Sequence, residues 1–158
     1  MTQEMCIVLT PEQRRSLEAL EEGLASGGLV TLRGGRGSGK TTVLKYLHAS
    51  VGGLLVSLRD VFDETGGEPV EETFLQTMEK SLAGHDIVIV DDLHVVTEMV
   101  DYPLLLDASL TALLGEASVL RKKMVFATEG QAPWPIRRRA YDWLIDPLET
   151  GEVLKTAE

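Results

Sequence analysis

The chain has 158 residues, one domain's worth and enough for a single substantial core. Its hydrophobic fraction of 44% and charged fraction of 25% are those of an ordinary soluble globular protein, and its one cysteine, Cys6, excludes an internal disulfide or a cysteine metal cluster. Acidic residues outnumber basic ones 25 to 15, and the net charge of −10 argues against nucleic acid held by phosphate neutralisation.

The opening stretch "MTQEMCIVLTPEQRR" lacks the basic-then-apolar order of a secretion signal, and no apolar run is long enough to span a bilayer. The expectation is an intracellular, cytoplasmic protein, with Cys6 beside Ile7, Val8 and Leu9 as a small buried hydrophobe. A helix should start at Thr10 as N-cap with Pro11 at its first position, carry Leu17, Leu20 and Leu24 on one face, and end at Gly27-Gly28. "LVTL" over 29–32 reads as a short strand. A glycine-rich loop follows, then a helix through "KTTVLKYLHAS" with Val43, Leu44 and Leu47 inward.

"GLLVSL" reads as a second strand and "VEETFLQTMEKSLAG" as a second long helix with Phe74, Leu75, Met78 and Leu82 on one stripe. "DIVIVDD" is apolar at every position from Ile87 to Val90, which indicates a strand buried on both faces. "YPLLLDASLTALLGEASVLRKK" predicts a long helix, "MVFAT" a fourth strand and "WLIDPL" a fifth. Strands alternating with helices predict an α/β fold, a central parallel sheet of about five strands flanked by helices.

The loop between the first strand and its helix carries the chemistry. Gly34-Gly35-Arg36-Gly37-Ser38-Gly39-Lys40-Thr41 fits G-x-x-x-x-G-K-[ST], the phosphate-binding P-loop, in its required strand–helix context. Backbone N–H groups must converge on phosphate oxygens, and side chains there would block the approach. Gly34 and Gly39 allow the turn, while Gly35 and Gly37 keep the cradle open. Lys40 brings charge to the β- and γ-phosphates, the Thr41 hydroxyl suits Mg²⁺, and the helix N-terminus adds its partial positive charge.

A second signal stands 51 residues after Lys40, where "DIVIVDDLH" ends an apolar strand in two carboxylates, the Walker B arrangement. Asp91 would sit near Thr41 and hold Mg²⁺ through water. Asp92 would orient or deprotonate an attacking water. The competing reading has the two aspartates only capping a turn.

With these motifs, the chain resembles the large subdomain of AAA+ ATPases, and within them most closely the AAA clade, over roughly residues 8–148. "MVFATEG" followed by "IRRRAYDWLIDPL" narrows the resemblance: it looks like a fourth strand with a polar sensor residue, an arginine-finger segment and a fifth strand. The resemblance implies binding of ATP or ADP with Mg²⁺ by Gly34 to Thr42, and ATP hydrolysis with Asp91 as metal carboxylate and Asp92 as water carboxylate. It puts the sensor at Thr128 or Glu129. Strict alignment lands on Glu129, but repulsion between an acid and the γ-phosphate favours Thr128. Arg137, Arg138 and Arg139 occupy the region that sends arginine into a neighbouring subunit's nucleotide, Arg138 and Arg139 foremost. A solvated basic cluster is the alternative.

The sequence departs from the family in three places. Asp92 stands where Glu is usual, one methylene short. "DVFDETGGEPVEE" resembles the first pore loop but puts Thr65, among Asp63, Glu64 and Glu68, where an aromatic grip belongs; Phe62 reads as a core contact. A complete module continues into a helical lid, for which "ETGEVLKTAE" is too short. The expectation is therefore a single P-loop ATPase domain over 1–158, a piece of a longer protein without its lid, with adenine contacts partly from Ile7 and Val8.

His94 reads as a surface or loop histidine, His48 and His85 as helix-end residues, and Trp134 between two prolines as a packing anchor, with an intersubunit contact as the alternative. Two functions compete. One is Mg-ATP hydrolysis in a homo- or hetero-oligomer coupled to remodelling a macromolecular partner, a protein rather than nucleic acid. The other is a weakly hydrolysing nucleotide-bound assembly switch or scaffold. An initiator-type ATPase lacks its basic DNA-binding element, a phosphotransferase lacks an acceptor site, and an ABC-type ATPase lacks an LSGGQ-like sequence.

Overall fold

The computed structural model describes residues 9–65, 69–100 and 102–145. In chain order the elements are α1 (Pro11–Ser26), β1 (Leu29–Arg33), α2 (Lys40–Val51), β2 (Leu54–Ser57), α3 (Leu58–Thr65), α4 (Val70–Gly84), β3 (Ile87–Asp91), α5 (Leu93–Met99), α6 (Pro103–Val119), β4 (Lys123–Thr128), α7 (Trp134–Arg137) and β5 (Tyr141–Leu144). The strands form one sheet in the order β2-β3-β4-β1-β5, and every neighbouring pair runs parallel. The expected α/β architecture with five parallel strands is the one observed.

The apolar run of β3 is explained by burial on two faces. Val88 and Val90 pack with α4, α5 and α6 residues such as Phe74, Met78, Leu93 and Leu110. Ile89 points the other way, toward Leu20 and Leu24 of α1 and Val43, Leu44 and Leu47 of α2. β4 alternates likewise, Met124 and Phe126 to the first cluster, Val125 and Ala127 to the second. Each such side chain fully buried contributes roughly 1.5–3 kcal/mol.

α1 starts as its sequence predicts. Thr10 caps it, with the Gln13 N–H donating to Thr10 Oγ1 and the Thr10 N–H donating to Gln13 Oε1, both at 3.0 Å. It stops at Gly27, and Gly28 takes the left-handed conformation (φ 84°). α6 closes with a similar turn, the Lys122 N–H reaching the Ala117 carbonyl at 2.9 Å, but the left-handed position is filled by Arg121 (φ 60°).

Three helices were not expected. α3 begins directly after β2, so Leu58 belongs to the helix and not to the strand. The segment likened to a pore loop is thus helical as far as Thr65, while residues 66–68 lie outside the described part. Leu58 and Phe62, one turn apart, are buried in the core, as Phe62 was read to be. α5 places Leu93 and Val96 inward, and α7 is a single turn begun by prolines. β5 starts at Tyr141, two residues before the expected Trp143, and α6 ends at Val119, leaving 120–122 as the turn into β4. The readings of Cys6, Ile7 and Val8 and of the chain beyond Ile145 lie outside the described residues.

Trp134 is corrected as well. It is 57% exposed, with the Arg137 guanidinium 5.4 Å from its ring centroid, so it does not anchor the core.

Candidate active site

In an open parallel sheet, the carboxyl ends of neighbouring strands crowd their following loops together, and ligands bind there. Here β1, lying beside β4, delivers the glycine loop to the edge where β2, β3 and β4 end in Ser57, Asp91 and Thr128. Gly34 leaves β1 with its N–H on the Thr128 carbonyl at 3.2 Å. A Cβ on Gly34 would stand 2.4 Å from Ile145 Cγ2 and 2.6 Å from Ser38 Oγ, so no other residue fits without movement. Gly39 has φ 93°, and a Cβ there would stand 2.2 Å from Gln13 Nε2, so the first turn of α1 closes over the loop.

Lys40 opens α2 and is only 9% exposed. Its Nζ donates to the carbonyls of Gly34 (2.6 Å) and Gly35 (3.0 Å), which puts the ammonium at the centre of the loop. Burial lowers its pKa, against the opposing charges of Glu129, Asp91 and Asp92. The Thr41 hydroxyl donates to Asp91 Oδ2 at 2.8 Å. Burial raises the Asp91 pKa and Asp92 adds to that, while the bonds from Thr41 and from the Asp92 N–H pull it down.

Asp92 is not a strand residue. It sits at φ 64° as the N-cap of α5, a left-handed conformation that aspartate adopts more readily than most residues with a Cβ. Ser57 Oγ donates to its Oδ2 at 3.5 Å, and Arg59 Nε lies 3.8 Å from the same oxygen. A pocket of about 370 Å³ joins the loop residues Arg36, Gly37, Gly39, Lys40, Thr41 and Thr42 to Arg59, Asp91, Asp92, His94 and Glu129.

Several assignments move. Thr128 is fully buried, its hydroxyl has no hydrogen-bond partner among the described residues, and it does not line the pocket. Glu129 does line it. The repulsion that disfavoured Glu129 is offset by the Lys40 ammonium, on which its charge acts, and its Oε2 also lies 3.4 Å from His94 Nε2. His94, read as a surface histidine, is 7% exposed on α5 and also approaches Arg59 Nη2 at 3.4 Å. Arg59 was missed altogether. The available signal was its place just past the end of a parallel strand, where charged residues face the ligand edge.

Arg137, Arg138 and Arg139 lie in and just after α7 on the connection from β4 to β5, and Arg139 reaches the amino ends of β1 and β4, across the sheet from the loop of its own chain. Arg137 donates to Gln131 Oε1 at 3.2 Å, and Arg138 and Arg139 are exposed. The structure does not bring them to the pocket. A separate ion pair ties the edge strand: Arg33 meets Asp142 at 2.8 Å, and Thr31 Oγ1 donates to Asp142 at 2.6 Å. Burial works to raise the Asp142 pKa, but its bonds to Arg33 and Thr31 win and hold it low.

No protein-family profile matches the chain. A 71-residue stretch, 43% of the chain, is 35% identical to an ABC transporter ATP-binding protein/permease of Saccharomyces cerevisiae, but spans only 6% of it. Solved structures cover far more. Domain III of the Thermotoga maritima replication initiator DnaA matches 89% of the chain with a TM-score of 0.58 at 17% identity. The fold is that of the AAA+ P-loop ATPases. A Walker-type ATPase of Pyrococcus abyssi matches this AAA+ fold over 85% of the chain (TM-score 0.58, 16% identity), and a DnaA bound to AMPPCP and single-stranded DNA over 89% (0.58, 16%). The chain spans 65%, 53% and 48% of the lengths of these three, in the order given. Among the described residues no helix is long and apolar enough to cross a membrane.

Proposed function

We propose that this AAA+-type domain binds Mg-ATP in the pocket at the carboxyl edge of its sheet and hydrolyses it, coupling turnover to remodelling of a macromolecular partner within an oligomer. One observation carries the reading: the Thr41 hydroxyl, the Asp91 carboxylate, the Lys40 ammonium and the Asp92 carboxylate all meet in a single pocket. The residues fit magnesium. A hydroxyl and a carboxylate oxygen, already 2.8 Å apart, are hard donors of the kind that hold this ion beside substrate phosphates, and Mg²⁺ takes few protein ligands. When bound, the ion would neutralise charge on the phosphate oxygens.

In this reading the loop N–H groups from Gly34 to Thr42 and Lys40 orient the phosphates. Asp92 positions the attacking water and accepts its proton. Arg59, held beside Asp92, sets where that carboxylate points. Glu129, with His94 behind it, takes the sensor position proposed for Thr128. Arg138 or Arg139 of a neighbouring copy would add guanidinium charge to that of Arg36 and Arg59 at the pocket.

The assembly-switch reading has its own support. Asp92 is one methylene shorter than the usual glutamate, which leaves its carboxylate a shorter reach toward an attacking water. The expectation that nucleic acid is not a partner rested on net charge, and the likeness to a DnaA bound to single-stranded DNA tells against it. Phosphate release with Mg-ATP, measured over a range of protein concentrations beside nucleotide binding, separates the two. Binding with release that rises per chain on concentration supports the ATPase, binding without release supports the switch, and no binding removes both.

A further inference from the structure

Six of the chain's 15 basic residues stand in two consecutive runs, 121–123 and 137–139, with thirteen residues between them. The fold reunites them. A cleft of about 440 Å³ opens at the amino ends of β1 and β4, on the edge of the sheet opposite the glycine loop, and Arg121, Lys122 and Lys123 line it together with Arg139. Gly27 and Gly28 form part of its wall, so no side chain stands there between the cations. Acids outnumber bases in this chain, yet no carboxylate lines the cleft.

We infer that this cleft is a second, phosphate-recognising site that takes the backbone of a nucleic-acid strand. Three observations favour an extended polyanion over a small phosphorylated ligand. Among the described residues Arg121, Lys123 and Arg139 have no acidic partner, and the single pair, Lys122 with Asp86 at 3.0 Å, uses a carboxylate whose side chain is 92% exposed and easily exchanged. The backbone N–H groups of Gly27, Gly28, Arg121, Lys122, Lys123 and Met124 are all spent on internal carbonyls, which leaves only long, adaptable side-chain heads for contact. No aromatic ring and no buried polar group lines the cleft to fix a particular base or metabolite. Contacts of this kind hold phosphates in register and carry no sequence information.

The net charge of −10 does not forbid the site. Screening acts over about 10 Å at 0.1 M salt, so acids on remote faces weigh little against four cations at contact. Arg121 adds a structural observation: it occupies a left-handed position (φ 60°) at the end of α6 that glycine fills at lower cost, and it keeps a guanidinium on the cleft.

The test uses a fluorescein-labelled 20-nucleotide single strand and the matching duplex, titrated by anisotropy at about 25–200 mM salt, the range over which phosphate contacts show. All proteins carry Lys40→Ala, so that the glycine loop does not itself capture phosphate. Binding is expected, with a slope of log affinity on log salt near −3 for the single strand, as about 0.7 per neutralised phosphate predicts for four cations. Arg121→Glu/Lys123→Glu, which spares the arginines proposed to serve a neighbouring subunit, should weaken binding at least about tenfold and halve the slope. Lys80→Glu, the reversal of a single charge on the exposed face of α4, should leave both nearly unchanged. Should the double variant fail to fold by thermal melt, Lys123→Gln replaces it, with a fall in slope of about 0.7 expected. The proposal is overturned by absent binding at the lowest salt, by equal losses at Lys80, or by inorganic triphosphate displacing the strand at equal concentration, which would mark a small-anion site.

Discussion

The Thr41 hydroxyl donates to Asp91 Oδ2 across 2.8 Å, joining the first turn of α2 to the carboxyl end of β3. This bond ties the start of α2, just after the glycine loop, to the acidic strand end, and it brings together the two oxygen donors proposed to hold magnesium. Burial raises the Asp91 pKa, so the ionised carboxylate costs folding stability. For a carboxyl whose native pKa is raised, that stability is fully present below the unfolded value near 4 and is lost as pH rises through the native value. Asp91→Asn should therefore melt higher than the parent at neutral pH, and the gap should close as pH falls. The same variant should lose Mg-dependent nucleotide affinity by at least the ~10–100-fold that even outer-shell metal partners cost. Thermal melts across pH and a nucleotide titration with and without Mg²⁺ check both halves.

Lys40 is buried against the carbonyls of Gly34 and Gly35, and burial lowers its pKa. Placing a charge there is unfavourable for the empty fold and useful only to an anion. Lys40→Ala should leave the melting temperature unchanged or raised while abolishing or severely weakening binding of a fluorescent ATP or ADP analogue. Equal affinity in the two proteins would remove the loop from the nucleotide site.

Asp92, at φ 64°, is held outside the strand with its carboxylate toward Ser57 and Arg59. If it accepts a proton from water, Asp92→Asn keeps ATP affinity and loses phosphate release by about 10²–10⁴. Unchanged release would leave it a helix cap and nothing more.

Arg59 stands 3.8 Å from Asp92 Oδ2 and 3.4 Å from His94 Nε2, and in the proposed mechanism it acts through Asp92. At 3.8 Å, with the arginine half exposed, the ion pair is worth about 0.2–1 kcal/mol. Arg59→Ala should accordingly lower kcat by up to about fivefold with a smaller change in KM, and Arg59→Lys should restore part of it. A purely structural role would instead move the melting temperature and KM together.

Much of this was legible in the sequence, and the reasons differ by element. β3 could be read because four apolar residues in a row are tolerated only where both faces of a strand are covered. The start of α1 could be read because Thr10 and Gln13 form a reciprocal cap that needs no tertiary partner. α3 and α5 escaped because each is only about two turns long, too short for a period to emerge, and each is set by what it packs against. The site divided the same way. The loop and Asp91 are local patterns, whereas Glu129, His94 and Arg59 come from three segments that only the strand order brings together. Thr128 was preferred to Glu129 on a repulsion argument that counted one charge and could not see the surrounding cations.

The last prediction concerns Arg137, Arg138 and Arg139. None of them lines the pocket: Arg137 is engaged by Gln131 and Arg139 lines the cleft at the amino ends of the strands. If one of them serves catalysis, it does so in a neighbouring copy, where guanidinium charge at the transferring phosphoryl group accelerates the reaction by about 10³–10⁵. Phosphate release per chain should then climb with protein concentration. Two dead proteins should also rescue one another: Lys40→Ala subunits, which keep the arginines but hold no nucleotide, mixed with subunits carrying alanine at 137, 138 and 139, which hold nucleotide but lack the arginines. A shared interface between unlike subunits contains both parts, so the mixture should regain measurable turnover while each alone has none. Flat specific activity together with an inactive mixture would leave these arginines without a catalytic role, with Arg139 belonging to the basic cleft alone.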